Sequence, residues 1–141
     1  MYDALNIDFN SKHRLGICRP CGIIDEYFIF QLLNFLFALE EVAEPFNRVL
    51  DLTLATDIPL TTPELHQYAD ARRQATAHLL QFRTAIIAPG PHAEAFARLY
   101  AMLMKDSKIE IGIFANASSA AEWLRVPEDV VRSQSSTTEP R

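Results

Sequence analysis

Between Arg83 and Val126 the chain reads strand, helix, strand, helix, and both strands are apolar at nearly every position. The first strand is Thr84-Ala85-Ile86-Ile87-Ala88, closed by the turn Pro89-Gly90-Pro91. An amphipathic helix follows from about Ala93 to Met104, then a second strand, Ile109-Glu110-Ile111-Gly112-Ile113-Phe114, and a helix through Trp123-Leu124. A strand with one wet face alternates apolar and polar residues; a strand without that alternation is covered on both faces, as parallel strands joined by crossover helices are. The segment therefore predicts helices packed on a largely parallel sheet.

The rest of the chain extends the same plan. Leu5-Asn6-Ile7-Asp8-Phe9 alternates, Asn10-Ser11-Lys12-His13 supplies turn residues, and Arg14-Leu15-Gly16-Ile17-Cys18 resumes the strand pattern, which predicts an antiparallel hairpin. After Gly22, a long helix is expected from Asp25 to about Ala43, stopped by Pro45. Arg48-Val49-Leu50-Asp51-Leu52 is the third strand. Thr62-Pro63-Glu64 reads as an N-cap, an early proline and a first-turn acid that open a second helix running to about Leu80. Asn116 or Ser119 is expected to cap the last helix, Ser119 with Glu122 as a capping box.

The order is ββαβαβαβα: an α/β domain over residues 1–126 with a five-stranded mixed sheet, its first strand antiparallel and its later strands parallel, and four helices. Residues 127–141 are expected to be a disordered C-terminal tail, because the Ser/Thr/Gln-rich stretch from Arg132 to Arg141 offers nothing to bury. Parallel strands place the loops 19–24, 53–62, 89–92 and 115–118 along one rim, where ligands of open α/β sheets bind.

The net charge of −5 and the scattered basic residues argue against a nucleic-acid partner, which would need a basic stripe. The adjacent pair Arg72-Arg73 reads as part of a solvated helix face. No transmembrane segment is expected, since the longest apolar run, Tyr27 to Leu39, is too short and is broken by Gln31 and Asn34. No signal peptide is read at Met1-Tyr2-Asp3, and two cysteines form no disulfide scaffold, so a cytoplasmic, reducing location is the expectation.

Arg48-Val49-Leu50-Asp51-Leu52 as the central strand, Ala85-Ile86-Ile87-Ala88-Pro89 as the next, and Ile113-Phe114 followed by Ala120-Ala121-Glu122-Trp123-Leu124 together resemble the bacterial SpoIIAA-like (STAS-like) proteins. The resemblance spans about Asn6 to Leu124. It implies a SpoIIAA-like fold and a binding or regulatory role. Regulatory members of that superfamily carry an Asp-Ser-Ser/Thr-Gly motif, with a phosphorylated serine, after the central strand. This chain departs from it, reading Thr53-Leu54-Ala55-Thr56-Asp57-Ile58-Pro59-Leu60-Thr61-Thr62. Thr61 and Thr62 match that place by position alone, and Thr62 already serves as the expected helix cap.

Cys18-Arg19-Pro20-Cys21 has the spacing of a thiol-exchange motif, although the following helix starts too late for its dipole to act on Cys18. A buried small hydrophobe is the plainer reading of such a cysteine. His13, His66, His78 and His92 have no ligand spacing that would predict a metal, and His92 is singled out only by its place at the rim. Asp51 could act as a base, but capping its own loop is the commoner fate. No phosphate-binding glycine loop or nucleophile elbow is present among four glycines. No catalytic residue, cofactor or metal is assigned.

The helix Tyr27 to Leu39 is apolar nearly all round, whereas a sheet-covering helix needs only a stripe. Either Phe28, Phe35 and Leu39, or the opposite set Phe30 and Phe37, must point away from the sheet, and an exposed aromatic patch means an interface. The expectation is a non-enzymatic binding or regulatory module, a homodimer through Phe28, Phe30, Phe35 or Phe37, with a ligand or protein-partner rim at Cys18, Cys21, Thr61, Thr62, His92 and Asn116. The alternatives are a carrier of a small apolar ligand or lipid and a thiol oxidoreductase using Cys18 and Cys21.

Overall fold

The computed structural model describes residues 5–42 and 46–137, with side chains given for 5–40 and 46–132. β1 (Ile7–Asn10) and β2 (Leu15–Cys18) form the expected antiparallel hairpin, and β2 then runs parallel to β4 (Asn47–Asp51), β4 to β6 (Phe82–Ile87) and β6 to β7 (Ile109–Phe114). The sheet order is β1-β2-β4-β6-β7. A separate two-stranded pair, β3 (Gly22–Ile23) and β5 (Ala55–Asp57), ties together the loops that follow β2 and β4. Gly22 has a φ of 103° there, a conformation that side chains rarely adopt.

Both faces of the sheet are covered, which explains the unbroken apolar runs. On one face Cys18, Phe82, Ile86 and Ile109 pack with α1 (Glu26–Val42), α2 (Thr62–Thr76) and α3 (Pro91–Leu103). On the other, Leu15, Ile17, Val49, Ala85 and Ile87 meet Ala120, Ala121 and Leu124 of α4 (Ala117–Leu124) and Val130 and Val131 of α5 (Glu128–Thr137). Successive side chains point to opposite faces, so β6 sends Ala85 to one core and Ile86 to the other, each 0 % exposed.

Three expectations are corrected. Among the described residues there are five helices, not four, because α5 occupies part of the segment read as a tail. Val130 and Val131 have a sheet face to bury against, and Val131 is 0 % exposed; the last residues of that segment, 138–141, lie outside the described residues. The N-cap of α2 is Thr61, one residue before the expected Thr62. Its Oγ1 accepts from the Glu64 N–H at 3.2 Å while the Glu64 carboxylate accepts from the Thr61 N–H at 3.0 Å, a full capping box. The third concerns Arg72, described below. Asn116, rather than Ser119, caps α4 by accepting from the Ser119 N–H at 2.9 Å. At the start of α1, Asp25 accepts from the Phe28 N–H at 3.0 Å, and the expected stop at Pro45 lies outside the described residues.

Candidate functional site

Four parallel strands bring the loops after β2, β4, β6 and β7 to one edge, as expected, and five of the six rim residues are exposed. Cys21 is exposed, as are Thr61 and Thr62 at the start of α2, His92 in the first turn of α3 and Asn116 at the cap of α4. Cys18 points the other way. It is buried, its thiol donates to the Leu5 carbonyl at 3.2 Å, and burial pushes its pKa up to about 12. Thiol exchange asks a nucleophilic cysteine for the opposite shift. Asp51 is engaged on both sides. One carboxylate oxygen accepts from the Thr53 N–H at 3.0 Å and hydroxyl at 2.6 Å, and the other faces Arg19 Nε at 3.3 Å. Arg19 also donates to the Val131 carbonyl, so the rim is locked to α5.

A concavity lies elsewhere, between α1 and the β1-β2-β4 half of the sheet. It has a volume of about 570 Å³, within the roughly 300–1,000 Å³ typical of small-molecule sites. Phe28, Leu32, Phe35, Leu36 and Leu39 of α1 form its roof, Ile7, Phe9 and Leu50 stand on its floor, and Tyr68, Arg72 and Tyr100 close its far wall. Of its lining residues only Phe9 and Arg14 are exposed, which places the mouth beside the β1–β2 hairpin. Of the expected rim residues only Cys18 lines it.

The two aromatic sets of α1 are now separated. Phe28 and Phe35 turn inward to the cavity, while Phe30 and Phe37 are 49 % and 52 % exposed, in line with Tyr27 at 70 %.

One row across the floor sets the chemistry. Strand register aligns Phe9, Gly16, Arg48, Thr84 and Ile111 on neighbouring strands. A Cβ on Gly16 would come within 2.8 Å of the Phe46 ring, so that ring lies in the space a side chain would fill. The guanidinium carbon of Arg48 lies 4.5 Å from the centroid of Phe46 and 4.2 Å from that of Phe82. Its Nη1 donates to Glu40 Oε2, while Nε and Nη2 are buried with no hydrogen-bond partner among the described residues.

Glu40 is 4 % exposed and also receives two hydrogen bonds of 2.8 Å from Arg72, a bidentate pair. Burial pushes the Glu40 carboxyl up, but the hydrogen bonds and charges of Arg72 and Arg48 outweigh it and hold the group below the usual carboxylate range. Burial likewise opposes the charge on Arg72, and its bond to Glu40 prevails, holding it above its ordinary value. Arg48 goes the other way: burial outweighs Glu40 and lowers it. Desolvation raises the phenols of Tyr68 and Tyr100, leaving both neutral at neutral pH. Among the described residues the cluster therefore holds two cations and one anion in an apolar wall.

Arg72 is 2 % exposed, which corrects the solvated-face reading of Arg72-Arg73. Only Arg73 turns outward, donating to the Leu103 and Lys105 carbonyls at 3.1 and 2.9 Å. The sequence did carry a signal: Leu65, Tyr68, Ala69, Arg72 and Thr76 all fall on the buried face of α2 at helical spacing. Among the described residues no three His, Cys, Asp or Glu side chains gather as a metal site, and no helix is long and apolar enough to cross a membrane.

No protein-family model matches the chain, and no curated protein matches it. Among solved structures it is similar to an uncharacterised protein of the DUF3478 family from Shewanella loihica PV-4, described as having a SpoIIAA-like fold. The two share 18 % identity at a TM-score of 0.56, over 84 % of this chain and 90 % of that one. Helices on both faces of a sheet ordered β1-β2-β4-β6-β7, with only β1 antiparallel, match the expected arrangement, and the fold of this chain is SpoIIAA-like.

Proposed function

We propose that this protein is a non-enzymatic binding module that takes an elongated apolar molecule into the cavity beneath α1. The observation that carries the reading is the cavity itself, about 570 Å³ and walled mainly by Leu, Ile, Phe and Tyr side chains. A gap of that size in a sheet–helix interface forfeits packing that a better-filled core would gain. A ligand restores those contacts. The engaged state of Asp51 and the raised pKa of Cys18 support a binding role over a chemical one.

Native mass spectrometry of the purified protein and titration with an environment-sensitive apolar dye test the reading. Leu36→Trp, at the half-buried roof, is expected to fill the space and abolish dye binding. Dye binding that this variant leaves intact would refute the assignment of the site.

A second reading rests on the outward stripe of α1, where Tyr27, Phe30 and Phe37 stand 70 %, 49 % and 52 % exposed. A second copy of the chain packing on this stripe would bury it, two-fold dimers being the commonest assembly. Size-exclusion chromatography with light scattering tests it, and a strict monomer across the micromolar range rules it out.

A further inference from the structure

We infer that the ligand of this cavity is a single-chain amphiphile ending in a carboxylate, its head held by the Nε–Nη2 edge of Arg48. The inference rests on the cavity being a ligand site and adds the chemistry of what enters it.

The guanidinium has one edge to offer. The Phe46 and Phe82 rings lie against it at 4.5 and 4.2 Å, and Glu40 takes Nη1. Nε and Nη2 remain without a partner among the described residues and without accessible surface, on a residue that is 7 % exposed and that lines the cavity, so a head group reaches them as the packing about that edge gives way. These two nitrogens present parallel N–H bonds at the spacing of the two oxygens of a carboxylate, so one head group satisfies both. A buried donor without a partner is costly, which makes this edge a polar anchor in a mainly apolar chamber.

Charge points the same way. Among the described residues Arg48 and Arg72 together outnumber Glu40 by one, and one carboxylate brings that set to neutrality. Arg72 spends its bidentate edge on Glu40, so Arg48 is the under-compensated cation. Thr84, its neighbour across β4 and β6, also lines the cavity and adds a hydroxyl beside the head. At roughly 30 Å³ for each non-hydrogen atom, the share of one water in the liquid, a volume of 570 Å³ holds on the order of twenty atoms. That accommodates one acyl chain with its head.

Myristate, tetradecanol and methyl myristate, titrated into the protein by displacement of the apolar dye, separate the head from the tail. The acid is expected to bind about tenfold to a hundredfold tighter than the alcohol or ester. In Arg48→Met that preference disappears. Myristate labelled with carbon-13 at the carboxyl is expected to titrate, when bound to the unaltered protein, below its range in water. Equal binding of acid and alcohol, a preference that survives Arg48→Met, or an unshifted carboxyl each overturns the inference while the cavity assignment stands. Failure of all three compounds to displace the dye removes the cavity assignment and this inference with it. Should Arg48→Met not fold, the acid–alcohol comparison and the labelled carboxyl decide the matter on the unaltered protein.

Discussion

Glu40→Gln tests the buried charge cluster directly. The substitution keeps the shape of the side chain but takes from Arg72 and Arg48, 2 % and 7 % exposed, the anion they share. Removing one partner of a buried ion pair costs about 3–5 kcal/mol. Exposed pairs of this chain, such as Arg98–Glu94 and Arg132–Glu128, contribute at most about 1 kcal/mol each. A domain of this size loses about 3–4 °C of Tm per kcal/mol, so the variant should melt about 9–20 °C lower. The pH dependence has a definite sign. Glu40 is held below the ordinary carboxylate range, so its contribution is complete above the unfolded value of about 4.3 and is lost as pH falls through the lower folded value. Urea denaturation of both proteins should show a stability gap that is constant near neutrality and closes in acid. A gap under about 1 kcal/mol, or one that acid leaves untouched, would mean that water reaches the pair and that the cluster is not the dry wall described.

Thr61→Ala should cost about 0.5–2 kcal/mol and Thr62→Ala close to nothing, because only Thr61 caps α2; equal effects in thermal melts would contradict the capping box. Gly16→Ala drives a methyl to 2.8 Å from the Phe46 ring and should cost about 1–3 kcal/mol, while a loss within error would show that Phe46 moves aside freely. In a thiol-reagent assay at neutral pH, Cys21 should react promptly and Cys18 only on unfolding; two fast thiols would contradict the burial and raised pKa of Cys18. Gly22→Ala should destabilise by about 1–2 kcal/mol through its positive φ, a cost absent if β3 relaxes.

The strand–helix–strand–helix run after Arg83 was legible because burial on both faces removes every polar position from a strand, a local signature of a long-range arrangement. The hairpin was legible for the converse reason, since β1 keeps a partly wet face and alternates. The cavity was not. It arises where α1 spans a floor containing Gly16, and no local pattern states how far a helix stands from the strands it covers. Arg72 was readable by helical spacing but hidden by its charge, because the anion that pays for its burial, Glu40, is 32 residues distant. Arg48 sits where strand periodicity places an inward side chain, but no local pattern names the anion and rings that meet its charge. The helix α5 depends on two adjacent valines finding a sheet face, a signal too brief to stand out in a Ser-rich segment. For Thr61 and Thr62 the two residues are chemically alike, and only backbone geometry separates the cap from its neighbour.

The two cores flanking the sheet differ in how much room they leave. Ala120 and Ala121, 0 % and 2 % exposed, seat α4 tightly with Val131 closing the seam, whereas the opposite side carries its void under a single long helix. Any adjustment to an arriving guest must then be absorbed by α1, with the α4–α5 layer acting as a stiff backing plate. Amide hydrogen exchange would register this as slowed turnover along α1 on saturation and an unchanged pattern across α4, a mechanical asymmetry written into the choice of alanine on one flank and phenylalanine on the other.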